Sequence, residues 1–90
     1  MPETAIQRYR RVFRETFDVA DEALAGLEYR SVPAWDSVGH LILTSGLEEA
    51  LGITLEFDDV IALSSYEKGI EILAKYLPEL ASEPDDAVRS

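Results

Sequence analysis

Leu43, Leu47 and Leu51 recur every four residues between an acid suited to start a helix, Asp36, and a glycine suited to end one, Gly52. That spacing predicts a helix from Ser37 to about Leu51, its leucines flanked by Thr44 and Ala50 and turned toward a core. Asp36 is placed to cap it, because a carboxylate there accepts the orphan N–H groups of the first turn. Gly52 suits the far end, where a left-handed residue closes the helix. Val38, Ile42, Ser45 and Glu49 fall on the opposite side. Two apolar residues on a face away from the core mark it as a candidate contact surface.

The same periodicity organises the rest of the chain. Ile6, Tyr9, Phe13 and Phe17 form one stripe of a first helix from about Glu3 to Thr16. Arg8, Arg10, Arg11 and Arg14 read as its solvated side, with Arg11 facing Glu15 across one turn. A long connection follows from Asp18 to Trp35. Asp21 is placed to cap a short turn through Glu22–Leu24, while Leu24, Leu27 and Tyr29 are expected to anchor the connection to the core. Pro33 keeps Val32 extended, and Trp35 is a large apolar anchor just before the cap. After a short extended link, Ile53–Leu55, a brief helix is expected over Phe57–Leu63, with Asp58 as its cap and Val60, Ile61 and Leu63 as apolar contacts. Ser64 and Glu67 match a capping box. The last helix then runs to about Leu77, with Ile70, Leu73 and Leu77 inward and Pro78 following. No alternating run is long enough for a sheet. The expectation is an all-α fold: a small four-helix bundle, three longer helices and one short, with a long first loop. Residues 1–80 make the domain and 81–90 a flexible tail.

Composition narrows the function. Ninety residues without cysteine hold one small domain with no disulfide, thiolate metal site or cysteine nucleophile. The net charge is -10, and from Asp21 to Glu67 Arg30 is the only base against ten acids. Such a surface repels nucleic acid and steers basic protein partners toward it. No apolar run is long enough to span a bilayer. The polar start, Met1–Thr4, lacks the blocks of a secretory signal. A cytoplasmic monomer acting on neither nucleic acid nor membrane is expected. One histidine and scattered carboxylates do not make a zinc site, and Asp58–Asp59 lacks the spacing of a calcium loop.

Ser37 carries the most specific chemistry. It falls in the first turn of the second helix, near the positive end of the dipole, where a phosphate ester would meet free N–H donors. A hydrolytic triad from Asp36, Ser37 and His40 is a poor fit, since neighbours on one rigid turn do not aim their functional atoms at each other. His40 instead turns coreward and is expected to hydrogen-bond to loop backbone.

Asp36-Ser37-Val38, followed by an apolar helix ending Leu47-Glu48-Glu49-Ala50-Leu51-Gly52-Ile53, resembles the acyl carrier protein family over about residues 4 to 78. The resemblance implies that Ser37 bears 4'-phosphopantetheine, a covalent group delivered from coenzyme A by a phosphopantetheinyl transferase, with Asp36 as the cap beside it. The arm's thiol would hold cargo as a thioester for a loading ligase and for downstream transferase or synthase enzymes. The chain itself would not be an enzyme. Val38 replaces the more usual Leu, and Gly39, His40 and Ile42 stand where fatty-acid carriers are often polar or acidic. This form looks more like discrete carriers of specialised pathways such as polyketide biosynthesis, with partners reading Val38, Ile42, Ser45, Glu48 and Glu49. An aminoacyl or peptidyl carrier is the alternative, and an unmodified helical interaction module a third reading. Ser45, Gly46 and Gly69 are small positions where a folded-back acyl chain would find room, with Gly46 equally suited to a packing contact.

Overall fold

The computed structural model describes residues 3–82. Its helices are α1 (Ala5–Phe17), α2 (Ser37–Leu51), α3 (Phe57–Ala62), α4 (Tyr66–Leu73) and α5 (Glu79–Ser82), with a 3₁₀ turn over Asp21–Gly26. No strand forms among the described residues; Glu28 and Ser65 make one isolated antiparallel bridge. The fold is therefore all-α. The expected tail lies outside the described residues except at 81 and 82, which α5 takes in.

α1 starts two residues later than expected, because Thr4 is the cap. The Thr4 hydroxyl accepts from the Gln7 amide, and the Gln7 side chain accepts from the Thr4 amide, a reciprocal capping box. Ile6, Tyr9, Phe13 and Phe17 are all buried, as the spacing predicts. They meet Trp35, which is fully buried. Phe17 stacks on the indole at 4.9 Å and Phe13 meets it edge-on at 5.7 Å. Tyr66 joins this group from α4, 5.1 Å from Phe13. Aromatic pairs at these separations add to the burial of their area.

The arginines of α1 are less free than expected. Arg10 is buried, and it shares Asp21 Oδ1 with Arg14, at 3.1 and 2.8 Å. Asp21 thus ties the first connection back to α1 rather than capping the turn, whose N-cap residue, Ala20, has no capping side chain. Its carboxyl is held below the usual range, first by the hydrogen bond from Arg14. Arg11 pairs with Glu15 one turn on at 3.9 Å, as expected, and makes a closer two-pronged pair with Glu3.

α2 has the expected bounds. Gly52 closes it in the left-handed conformation at φ 68°, donating to the Glu48 carbonyl. Leu43, Leu47 and Leu51 are buried against α1.

The last third departs more. Asp58 does not cap α3; the cap residue is Glu56, with no side-chain bond. Asp59 is instead buried, accepting from Lys75 Nζ at 2.7 Å and from the Tyr76 hydroxyl at 2.5 Å. The Lys75 bond first, then the Tyr76 bond, holds the Asp59 carboxyl below its ordinary value. The same carboxylate pushes the Lys75 ammonium and the Tyr76 phenol up. Leu63 is buried and Val60 partly so, but Ile61 points to solvent. Ser65, not Ser64, caps α4, accepting from the Lys68 amide. The Ser64 carbonyl accepts from the Tyr29 amide at 2.8 Å and the Leu27 carbonyl from the Tyr66 amide at 2.9 Å, the two bonds that flank the Glu28–Ser65 bridge. α4 ends at Leu73 in tight turns, so Ile72 joins Leu73 in the core while Ile70 and Leu77 are only partly covered.

Gly69 is not spare room. A Cβ there would stand 2.1 Å from the Tyr9 hydroxyl, which donates to the Tyr66 carbonyl. At Gly46 a Cβ would press on Val12 at 3.1 Å.

Candidate functional site

The first turn of α2 is built from both sides. The Asp36 carboxylate accepts from the Gly39 amide at 2.9 Å, and the Asp36 carbonyl accepts from the His40 amide at 2.8 Å. The amides of Ser37 and Val38 are then the ones without an intrahelical acceptor. Ser37 itself is exposed as the first residue of the helix. Gly39 is required by a close approach: a Cβ there would fall 1.9 Å from the Ala34 carbonyl oxygen. The loop before the cap therefore lies directly on the helix, and no side chain fits between them.

His40 fastens this turn to its surroundings. The Trp35 indole N–H donates to His40 Nδ1 at 3.0 Å, and His40 Nε2 lies 2.6 Å from the Val60 carbonyl. An indole nitrogen only donates and a carbonyl only accepts. Both bonds are satisfied by one neutral tautomer, with the hydrogen on Nε2. The imidazole also stacks over the indole, 6.3 Å between centroids. His40 is partly buried as expected, but its backbone partner belongs to α3 rather than to a loop. Both ring nitrogens are engaged away from Ser37.

Tyr29 is the residue the sequence reading misplaced. It is not an anchor in the core but half-exposed, with its hydroxyl 3.4 Å from Ser37 Oγ. Its ring stands edge-on to both Trp35 and His40. No local signal marks it out, since Tyr9 and Tyr66 carry the same hydroxyl and are fully buried; the path of the first connection decides.

The proposed contact face is partly as expected. Val38, Ile42, Ser45 and Glu49 are exposed. Glu48 is turned inward, because its carboxylate accepts from the Leu55 amide at 2.8 Å and holds the link to α3. Leu41, Phe57 and Ile61, which were not singled out for this face, are more than half exposed, like Val38 and Ile42. Leu41 was findable, lying one turn beyond Ser37. Phe57 and Ile61 sit four apart on α3, which the His40–Val60 bond sets beside α2.

Among the described residues no cluster of three His, Cys, Asp or Glu side chains is placed to hold a metal ion. No helix there is long and apolar enough to cross a membrane. No family model, curated protein or solved structure matches this chain.

Proposed function

We propose that this chain is a discrete acyl carrier protein, with 4'-phosphopantetheine esterified to Ser37, serving polyketide or other specialised biosynthesis. The observation that carries the reading is an exposed hydroxyl on the first residue of the longest helix, set in a rigid frame. Asp36, Gly39, Trp35 and His40 all act to fix that one turn, and none of them contributes a base to the serine. Two long helices, α1 and α2, joined by a long first connection and followed by the short α3, α4 and α5, support the reading as an all-α domain, with two long helices where three were expected.

The residues present fit the group. Ser37 Oγ is open to solvent for esterification, and the Ser37 and Val38 amides face the phosphate position with the positive end of the helix dipole behind them. When bound, the group supplies a thiol that holds cargo as a thioester on a flexible tether. The chain's own part is to present the serine to a phosphopantetheinyl transferase and to offer a docking face to loading and downstream enzymes. Val38, Leu41, Ile42 and Glu49 form the α2 part of that face. One observation favours the aminoacyl alternative for the cargo. A Cβ at Gly69 would collide with the Tyr9 hydroxyl, so that position opens no room for a folded-back acyl chain, whereas Gly46 meets only Val12 and lines a groove between α1 and α2.

The test is intact-mass measurement after incubation with a broad-specificity phosphopantetheinyl transferase and coenzyme A. One added phosphopantetheine is expected on the native chain and none on Ser37→Ala. A folded native chain that stays unmodified overturns the reading.

A further inference from the structure

We propose that Tyr29 is a positioning residue for the group on Ser37: its hydroxyl donates to the phosphate and sets the direction in which the arm leaves the protein. This rests on Ser37 being the attachment point. The starting observation is the 3.4 Å separation between the Tyr29 hydroxyl and Ser37 Oγ. A phosphoryl group esterified at Oγ carries its outer oxygens one bond further out, within reach of that hydroxyl. The contact between two neutral hydroxyls is long. A bond from the phenol to an anionic oxygen is shorter and roughly twice as strong.

The ring is held for such a task. The Tyr29 amide donates to the Ser64 carbonyl at 2.8 Å, so the backbone is fixed to the start of α4. Arg30 then turns the chain in the left-handed conformation, φ 69°, and its amide donates to the Trp35 carbonyl at 2.9 Å. The ring stands edge-on to Trp35 at 6.4 Å and to His40 at 5.8 Å. A half-exposed side chain fixed by backbone and two rings loses little freedom when it takes a ligand atom. Charge agrees with geometry. Arg30 is the only base between Asp21 and Glu67, and its guanidinium lies 5.9 Å from the Tyr29 ring centroid. In an acidic stretch that repels phosphate, the one cation is on the tyrosine beside Ser37.

Tyr29→Phe keeps the ring and its packing and removes only the hydroxyl. Native and Tyr29→Phe chains are loaded with phosphopantetheine, loading is verified by intact mass, and the ³¹P resonance is recorded. The native resonance is expected away from that of free phosphopantetheine, and the variant's is expected to move toward it. A Trp35 indole resonance that stays in place separates this from a change of packing. The native protein alone gives a second reading: a through-space proton signal between the Tyr29 ring and the methylene next to the phosphate. A ³¹P position indifferent to the hydroxyl, or absence of that signal, overturns the role of Tyr29 and leaves the carrier reading standing. A native chain that takes no group at all overturns both.

Discussion

On the α1 side of α2, Phe13 and Phe17 pack on a fully buried Trp35, Tyr66 packs on Phe13, and the leucine stripe is buried with them. On the α3 side a six-residue helix is tied by a handful of polar bonds, His40 to Val60 and Asp59 to Lys75 and Tyr76, while Phe57 and Ile61 stand in solvent. One side is fixed mainly by apolar and aromatic packing, with the ion pairs of Glu3 and Asp21 at its edge. The other depends on hydrogen bonds and one ion pair, whose net worth is small and condition-dependent. Ser37 lies where the two meet, so its setting is rigid while the surface beside it remains open to partners.

Breaking the packed side gives the largest effect. Trp35→Ala removes the ring against which Phe13 and Phe17 pack and frees His40 Nδ1 of its donor. A loss of about 3–5 kcal/mol is expected in urea unfolding, enough to leave a small domain with little stability. A loss below about 1 kcal/mol would mean that the aromatic group is not what holds this side.

The polar side is tested by pH. The Asp59 carboxyl sits below its unfolded value, so the unfolded chain takes up the proton first as pH falls. The stability it contributes is present above the ordinary carboxylate range and drains away as pH drops through that range toward the lower folded value. Asp59→Asn should remove this part of the acid limb, seen as a shallower fall in thermal midpoint between neutral and acid pH. Glu3 and Asp21, also held low by arginines, keep the limb from vanishing. An unchanged slope would count against the Lys75–Asp59–Tyr76 tie as a fastener of α3.

The smallest effect on stability is expected at the open face. Ile42→Glu should change unfolding by no more than about 0.5 kcal/mol while slowing transfer to a cognate partner enzyme. Equal transfer rates would remove Ile42 from the docking face and leave that surface to Val38, Leu41 and α3.

The contrast also explains what the sequence made legible. α2 was readable at both ends, because Asp36 and Gly52 act on their own neighbours and the leucine spacing lies within one element. The stripe of α1 was readable for the same reason. Ser64 and Ser65 are not separable by local pattern, because the bridge between Glu28 and Ser65 that fixes where α4 starts comes from a distant segment. Asp59 reads as a helix-start charge; its burial depends on Lys75 and Tyr76, which the fold brings to it. Glu48 read as part of an acidic face until the Leu55 amide claimed it. At the site, the serine and its cap were local and visible. The approach of Ala34 to Gly39 and of Tyr29 to Ser37 depends on how the first connection folds back, and no periodicity encodes that.

The pairing of Leu27 and Tyr29 with Ser64 and Tyr66 acts as a clasp. It joins two points far apart in the chain and encloses α2 and α3 in a single closed ring of backbone. Closing that ring is one shared entropic step. Within that ring the His40–Val60 bond makes a second, shorter link, so any displacement of α3 would be felt at the serine's turn.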